Sequence, residues 1–235
     1  DQLAARMAGI LRKLGVTSGD RVAVKIEKTP EALALYLACL RTGAIYLPMN
    51  TAYKISETAY ILNDAQPSLF IHDPNDEEHM PGQSFTLDNT GNGSFLEVDA
   101  EARSTIFNAL DESIAAILYT SGTTGKPKGA MLSHQNLASN ALTLAKAWHF
   151  HHDDVILHAL PIFHAHGLFV AANIALLMGN EVIFLPRFNA EDVINHLSEA
   201  SVYMGVPTHY TRLLKEKLFT REMSDTIRVF ISGSA

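Results

Sequence analysis

One polar loop between two short apolar runs constrains the fold of this chain more than any other feature. The run Ile114–Leu118 is typical of a buried strand, and the loop Tyr119–Gly129 follows it directly. The residues after the loop, Ala130–Ser133, indicate either a second strand or the return strand of a β-hairpin. The loop therefore begins where a strand ends, and its glycines allow backbone N–H groups to converge on one ligand.

The composition of this loop suits a polyphosphate. It contains three glycines, three threonines, one serine and two lysines, and it contains no acidic residue. Hydroxyl groups add hydrogen-bond donors without bulk, and Lys126 and Lys128 add positive charge. The loop is not a Walker A motif, because only two residues separate Gly122 from Gly125 and Pro127 follows Lys126. The alternative is a surface loop of small polar residues with no ligand.

Composition and charge exclude several classes of function. The chain has 235 residues and a net charge of −7, whereas a nucleic-acid-binding protein usually has a basic surface. No apolar run approaches the roughly 18 residues that a membrane-spanning helix needs. The single cysteine, Cys39, lies in an apolar run, so we expect a buried and unreactive thiol and no internal disulfide. A reducing compartment fits this composition.

Apolar periodicity alternates between strand and helix along most of the chain, which indicates an α/β fold built from parallel βαβ units. Between residues 72 and 111 the pattern fails, apart from a possible minor strand at 84–87, and we interpret this region as peripheral and without chemistry. Strands are predicted at 22–26, 44–47, 68–71, 155–160, 181–185, 202–205 and 228–231, and helices at 2–14, 31–41, 56–62, 134–148, 168–178, from 189 onward and at 207–218.

Two histidine-bearing segments are candidates for chemistry. Pro161–Gly167 follows a predicted strand, and the carboxyl ends of strands are where open α/β sheets bind ligands. In a strand-like conformation His164 and His166 would point the same way; each could equally be a core histidine or one of a metal pair. The segment His149–Asp154 is interpreted as a polar turn rather than a metal site, because no further ligand set appears at zinc-binding spacing.

The motifs resemble those of the adenylate-forming superfamily, which includes acyl-CoA synthetases, luciferases and peptide-synthetase adenylation domains. Residues 119–129 resemble its phosphate-binding signature, and 161–167 match its Pro-x-x-His-x-x-Gly motif. Residues 205–214 resemble its pocket-wall helix, and 232–235 match the start of its adenine- and acyl-binding loop. The resemblance covers nearly the whole chain.

Within that superfamily, residues 130–140, 159–171 and 204–214 are most similar to malonyl-CoA synthetases. The resemblance implies an α/β fold of βαβ-type layered sheets with flanking helices, as an incomplete N-terminal adenylating domain. We expect a βαβ subdomain at 1–148 that carries the phosphate loop, and an acyl-pocket subdomain at 149–235. We also expect the chain to be a fragment that lacks the small C-terminal lid.

The resemblance implies an AMP-forming acid–CoA ligase that uses ATP, Mg²⁺ and CoA and activates malonate or a related short dicarboxylate. The family's magnesium-binding Glu, ribose-binding Asp and lid Lys have no match in the sequence, so we expect the isolated chain to be inactive as a ligase. We expect no nucleic-acid partner and no membrane span. The resemblance favours the bacterial cytoplasm over the mitochondrial matrix.

The resemblance also assigns roles to individual residues. His164 is the expected catalytic residue beside the reacting carboxylate, and Thr124 is the expected ligand of Mg²⁺. Arg187, Arg212 and Arg228 are candidates for a second substrate carboxylate, but the sequence assigns that role to none of them. The acyl pocket is expected to involve His164, His166, Val206, Thr208 and Ser234, while Leu213 and Leu214 pack inside. ATP is expected to bind Thr120, Ser121, Gly122, Thr123, Thr124, Gly125, Lys126, Lys128, Gly233, Ser234 and Ala235.

Three alternatives stay open at this point. The acid could be another short or medium-length carboxylate, in which case the pocket needs no cation for a second carboxylate. The chain could be a nucleotide-binding module without catalysis. The histidines between 149 and 166 could form a metal-binding module.

Overall fold

The computed structural model divides the chain into two compact units, Asp1–Asn136 and Leu137–Ala235. Each unit has its own sheet flanked by helices, so the predicted α/β class is confirmed. In the part of the chain that the structure describes, no helix is long and apolar enough to cross a membrane. The described residues are 1–76, 83–102, 105–120 and 126–234.

The first unit contains a six-stranded sheet in the order β4-β3-β1-β2-β5-β6. Strands β1 to β5 pair in parallel, which buries the central strands on both faces, and β6 returns antiparallel to β5. The loop that follows β5 is therefore the connection of a hairpin, one of the two arrangements predicted. The strands are β1 Arg21–Lys25, β2 Ile45–Pro48, β3 Leu69–His72, β4 Gln83–Thr86, β5 Ile114–Thr120 and β6 Lys128–Ser133.

Local signals fix the helices of this unit, α1 Gln2–Lys13, α2 Pro30–Thr42 and α3 Ile55–Ala65. The hydroxyl of Thr29 accepts a hydrogen bond from the N–H of Ala32 and begins α2. Gly43 ends α2 in the left-handed conformation, with φ of 76°. Cys39 is fully buried in α2, as predicted, and burial raises the pKa of its thiol.

The interpretation of residues 72–111 as peripheral is wrong for two apolar side chains. Leu87 and Phe95 are both fully buried. The turn between them is closed by two hydrogen bonds: the N–H of Asp88 donates to the carbonyl of Asn92, and the N–H of Asn92 donates to the Asp88 carboxylate. Both apolar side chains thus reach the core without regular periodicity. The minor strand predicted at 84–87 is confirmed as β4, which pairs in parallel with β3.

The second unit contains a four-stranded parallel sheet in the order β10-β9-β7-β8. Each parallel connection requires a return segment, and helices supply it. The strands are β7 Val155–His158, β8 Glu181–Phe184, β9 Val202–Gly205 and β10 Val229–Ser232. The helices are α4 His134–Ala147, a π-helix His166–Ala172, α5 Asn173–Met178, α6 Ala190–His196 and α7 Pro207–Leu213.

Capping residues also define the starts of α4 and α6. Ser133 accepts a hydrogen bond from the N–H of Asn136 and begins α4, as predicted. Asn189 accepts from the N–H groups of Glu191 and Asp192 and begins α6. The prediction for α7 is wrong in length, because the helix ends at Leu213 rather than residue 218. Leu213 is buried, but Leu214 lies past the helix end and is 73% exposed, so it does not pack inside.

A buried carboxylate, paired with an arginine, joins the residues that immediately precede three neighbouring strands. Asp154, which precedes β7, is only 4% exposed and accepts hydrogen bonds from the guanidinium of Arg228, which precedes β10. Asp154 also accepts from the hydroxyl of Ser201, before β9, at 2.7 Å and from the N–H of His151 at 2.8 Å. Burial alone raises the pKa of this carboxyl, but these donors outweigh it and lower the pKa to about 2.

We expect Asp154→Asn to lower the free energy of unfolding at pH 7 by about 1–3 kcal/mol, because the buried side chain loses the charge that strengthens its hydrogen bonds from Arg228 and Ser201. In the wild type this stabilisation is present above the ordinary carboxyl pKa of 3.8 and is lost as the pH falls toward about 2. The difference between wild type and variant should therefore shrink below pH 4 in urea denaturation. Asp153→Asn, at an exposed neighbour, is the control with a small expected effect. Equal stability of wild type and Asp154→Asn would contradict this role.

Candidate functional site

The predicted phosphate-binding residues lie at the end of the β5–β6 hairpin where the loop connects the two strands. Thr120 is the last residue of β5 and pairs in register with Lys128, the first residue of β6. Thr120, Lys126 and Lys128 are all exposed, so one hydroxyl and two ammonium groups surround the base of the loop. The donor set suits an anion with several oxygens. The predicted residues Ser121, Gly122, Thr123, Thr124 and Gly125 lie outside the described residues.

Helix α3 holds both strands of this hairpin where the loop begins and ends. The hydroxyl of Tyr60 donates a hydrogen bond to the carbonyl of Pro127 at 3.1 Å. One turn further along α3, Asp64 accepts a hydrogen bond from the hydroxyl of Tyr119 at 2.5 Å. Burial and then the Asp64 carboxylate raise the pKa of Tyr119, so its hydroxyl stays protonated. The two contacts fix the residues adjacent to Thr120, Lys126 and Lys128.

A separate cavity of about 380 Å³ lies in the second unit, among residues that follow the carboxyl ends of β7, β9 and β10. Parallel pairing brings these ends to one edge of the sheet, where open α/β sheets bind ligands. Polar and apolar side chains share the lining. The lining residues are Leu160, Pro161, His164, Ala165, His166, Gly167, Val206, His209 and Ser234.

The strand-like conformation considered for His164 and His166 is wrong. Strand β7 ends at His158, and the chain turns before Ala165, whose φ of −52° and ψ of −45° are helical. His166 is the first residue of the π-helix, so the two histidines lie on a turn and a helix rather than on one strand face. The predicted apolar helix 168–178 is thus a π-helix followed by α5.

Gly167 permits this tight turn because its backbone touches the turn itself. A Cβ atom at this position would lie 2.0 Å from the carbonyl oxygen of Pro161, which is far closer than any real contact. The carbonyl of Gly167 lies 2.8 Å from Nε2 of the buried His158, which tethers the π-helix to the end of β7. The first and last residues of the Pro-x-x-His-x-x-Gly motif therefore pack directly against each other.

The three cavity histidines differ in their surroundings. His164 is exposed, with its ring 4.6 Å from that of Phe163, whereas His166 and His209 are buried. Burial lowers the pKa of all three, and for His209 the value falls to about 4, with help from the charges of Arg212 and His166. All three rings are thus neutral at pH 7 and can accept as well as donate hydrogen bonds.

The other predicted pocket residues are only partly brought together. Val206 and Ser234 line the cavity, but Thr208 is exposed and is not among the lining residues. The N–H of Gly233 donates to the carbonyl of Gly205 at 3.3 Å, which continues the β9–β10 pairing past Ser232. Ala235 lies outside the described residues. The assignments of these residues to ATP and to the acid therefore stay predictions.

Sequence reasoning missed His209. It lies in the first turn of α7, where helical phase rather than residue type decides which side chain faces the cavity.

None of the three candidate arginines lines the cavity. Arg228 pairs with Asp154, and Arg212 lies over the ring of Phe188 at 4.8 Å. In the described chain no group of three or more His, Cys, Asp or Glu side chains could hold a metal ion.

Comparison with known proteins decides the family. The family model described as "AMP-binding enzyme" matches residues 1–235. The chain belongs to the AMP-binding enzyme family. The resemblance of its motifs to adenylate-forming enzymes is thereby confirmed.

Relatives of this AMP-binding chain act on different acids, according to their names. The malonate–CoA ligase of Arabidopsis thaliana is 29% identical over 94% of this chain and 41% of its own length. The feruloyl-CoA synthase of an Amycolatopsis species is 31% identical over 98% of this chain and 47% of its own length. The chain spans just under half the length of these curated relatives.

Solved structures of the family match the fold closely. ATP-bound MatB from Rhodopseudomonas palustris has a TM-score of 0.95 and 46% identity, covering 100% of this chain and 48% of MatB. The O-succinylbenzoate coenzyme A synthetase of Bacillus subtilis in complex with AMP has a TM-score of 0.86 and 28% identity, covering 99% of this chain and 59% of that protein. Both are similar to this AMP-binding chain along nearly its whole length.

We expect Tyr60→Phe to loosen the base of the hairpin loop, because it removes the hydrogen bond to Pro127 and leaves the ring in the core. Amide hydrogen exchange at Lys128 and Gly129 should become roughly fivefold faster, as the loss of about 1 kcal/mol predicts. Tyr53→Phe is the matched control, since Tyr53 packs against the same core and no hydrogen bond of its hydroxyl is described. Unchanged exchange in Tyr60→Phe would contradict the contact's role.

We expect Gly167→Ala to destabilise the second unit by about 1–3 kcal/mol, because the new methyl group collides with the Pro161 carbonyl. Thermal and urea denaturation would measure the loss. Gly233→Ala is the control, since a Cβ there meets nothing within 4 Å and little change is expected. A fully stable Gly167→Ala protein would show that the turn does not need this close approach.

Proposed function

We propose that this chain is the nucleotide- and acyl-binding part of an ATP-dependent acid–CoA ligase whose acid is malonate or a related short dicarboxylate. The observation that carries this proposal is the cavity at the carboxyl ends of β7, β9 and β10, which three histidines line. Family membership supports the ligase chemistry, and relatives named malonate–CoA ligase support the choice of acid.

The proposed reaction has two steps. A carboxylate oxygen of the acid attacks the α-phosphorus of ATP and displaces pyrophosphate, which gives an acyl-adenylate. The thiolate of CoA then attacks the acyl carbon and displaces AMP. Charge develops on phosphate oxygens in the first step, so preorganised donors lower its barrier. We assign that role to Thr120, Lys126 and Lys128 with the loop residues 121–125 between them.

His164 is the proposed partner of the reacting carboxylate. It is exposed, on the turn between β7 and the π-helix, and its pKa is lowered by partial burial. A neutral ring there can donate one hydrogen bond and orient the carboxylate without neutralising it, which preserves its nucleophilicity. Backbone at Gly233–Ala235 is the proposed contact for adenine and the carboxylate. Mg²⁺ would supply charge neutralisation at the phosphates, and we assign the Thr124 hydroxyl to it as an oxygen ligand.

The size and polarity of the cavity favour a short, polar acid over the alternatives. A volume of about 380 Å³ lies near the lower end for ligand pockets. The lining includes the buried Nδ1 atom of His166, which has no hydrogen-bond partner in the described protein and which an alkyl or aromatic acid would leave unpaired. Ferulate and fatty acids, the substrates in the names of other relatives, are therefore the less favoured candidates.

Acid-dependent exchange of pyrophosphate into ATP tests the proposal. The protein that carries this chain at the full length of its relatives is assayed with malonate, propionate, octanoate and ferulate. We expect kcat/KM for malonate to exceed the others at least about tenfold, the discrimination that one buried polar contact provides. We expect His164→Ala to lower exchange with every acid. Exchange without any acid dependence would refute the ligase assignment, and preference for octanoate or ferulate would refute the dicarboxylate.

The 235-residue chain alone gives a second comparison. We expect it to bind nucleotide weakly and to form no acyl-CoA at a useful rate, because the sequence matches no magnesium-binding Glu and no lid Lys. Efficient thioester formation by this chain would contradict that expectation.

A further inference from the structure

The loop end of the β5–β6 hairpin receives its side-chain support from helix α3. In the sheet that the structure describes, β6 is the last strand and pairs with β5. The first residues of β6, 128–131, are all exposed. Among the described residues, α3 supplies the side-chain hydrogen bonds that reach this end, from Tyr60 to the carbonyl of Pro127 and between Tyr119 and Asp64. These two hydrogen bonds are named the α3 contacts below.

Helix α3 is itself fixed by parts of the unit that do not belong to the hairpin end. Leu62 is buried in the same core cluster as Ile117 of β5. The helix ends at Gln66, whose φ of 44° is left-handed, and the Gln66 carbonyl accepts a hydrogen bond from the guanidinium of Arg21 at 3.0 Å. The position of Asp64 is therefore set by β1 and the core.

The ring of Tyr119 lies across β6 at a position where a side chain would interfere. Tyr119 pairs in register with Gly129. A Cβ atom at Gly129 would lie 2.8 Å from the side chain of Ile117 and 3.4 Å from the Tyr119 ring. Because Gly129 has no Cβ, the ring can cover it and bring its hydroxyl within 2.5 Å of Asp64. Burial and then the Asp64 carboxylate raise the pKa of Tyr119, so the hydroxyl stays a donor.

Both α3 contacts are made by residues directly adjacent to the candidate phosphate donors. Thr120 follows Tyr119, and Pro127 separates Lys126 from Lys128. The three donor side chains are exposed and form no hydrogen bond within the described chain, so their positions depend on the backbone to which they are attached. Donors held in place before binding capture an anion without the cost of ordering them.

We propose that Tyr60 and Asp64 are positioning residues that set the affinity for the pyrophosphate part of ATP by holding Pro127 and Tyr119. This inference rests on the proposed function and adds to it the residues outside the loop on which nucleotide binding depends. Tyr60 and Asp64 act through the hairpin backbone and do not touch the nucleotide. AMP lacks the pyrophosphate part, and the acid is assigned to His164 in the second unit, so the α3 contacts affect binding of neither.

The expected size of the effect follows from a shift in population. Without one of the α3 contacts, the hairpin end samples conformations in which the donors are misplaced, and the apparent affinity falls in proportion to the fraction that stays competent. The net contribution of one hydrogen bond corresponds to a roughly fivefold to tenfold weaker affinity for ATP. A simple charge effect has the opposite sign, because removal of the Asp64 carboxylate alone favours an anion nearby.

Calorimetric titration of the protein that carries this chain at the full length of its relatives tests the inference. ATP with Mg²⁺ and AMP are titrated separately into wild type and Tyr119→Phe, which keeps the ring over Gly129 and removes the hydroxyl. We expect the dissociation constant of ATP to rise roughly fivefold to tenfold and that of AMP to stay unchanged. Asp64→Ala should show the same selective loss, and Asp64→Asn, which keeps an oxygen acceptor, should recover part of the affinity.

Kinetics of pyrophosphate exchange give an independent readout. In Tyr119→Phe the KM values for ATP and for pyrophosphate should rise by the same factor as the dissociation constant of ATP, while KM for malonate stays unchanged. The value of kcat at saturating ATP should change little, because bound nucleotide restores the hairpin end. Loss of folded protein would lower kcat and leave every KM unchanged.

A double-mutant cycle and a matched control show whether the two residues act through one contact. The combined variant Asp64→Ala/Tyr119→Phe should bind ATP no more weakly than the weaker single variant, because each change removes the same hydrogen bond. Asn63→Ala alters an exposed neighbour on α3 whose side chain forms no described hydrogen bond, and it should behave as wild type. Unchanged ATP affinity in Tyr119→Phe, equal losses for ATP and AMP, or additive losses in the combined variant would each overturn the inference.

The same measurements separate this inference from the proposed function. If wild type exchanges pyrophosphate with an acid and its ATP affinity does not respond to the α3 variants, the positioning role alone is refuted. If ATP binds and is lost selectively in the variants while no acid supports exchange, the ligase assignment is refuted and the positioning role stands. A wild type that binds no ATP would refute both.

Discussion

Parallel pairing of β7, β9 and β10 is the constraint on which the rest of the second unit depends. Tyr203 pairs with both Leu157 and Phe230, so three strands run in register and end at one edge. Each strand must be followed by a return segment, and the three segments that leave this edge supply the cavity lining. At the opposite edge, one carboxylate, Asp154, holds the residues preceding all three strands. The sheet thus has one end held by the Asp154 carboxylate and an opposite end whose following residues line the cavity.

The sequence predicted those parts of the fold that depend on neighbouring residues. Thr29 and Asn189 cap helices through their own side chains, and Gly43 ends one through its left-handed backbone, so each signal lies within a few residues of its effect. Buried strands were equally visible as short apolar runs. For residues 119–129, two such runs and a glycine-rich connection left two arrangements open, and the antiparallel pairing of β5 with β6 shows that the hairpin is the one formed. The family followed from four short motifs, at residues 119–129, 161–167, 205–214 and 232–235, each of which is contained in one local segment.

The parts that could not be predicted depend on contacts between distant residues. The turn that separates His164 from His166 exists because Gly167 packs on the Pro161 carbonyl, and that contact is a property of the folded backbone. His209 faces the cavity because α7 starts at a particular angle after β9, which no local pattern encodes. Buried residues such as Phe95 gave no periodic signal, because irregular turns bring them to the core.

Backbone contacts and side chains have separate roles around the cavity of the second unit. The close approach of Gly167 to Pro161 and the tether from His158 use backbone atoms, so they do not depend on what the cavity holds. His166 and His209 are side chains on that frame, and a different residue there would change the polarity of the cavity without moving the turn. A neutral imidazole also costs less to bury in an empty cavity than a guanidinium does. The polarity of the cavity can therefore change with its side chains while the Gly167–Pro161 contact and the His158 tether stay in place.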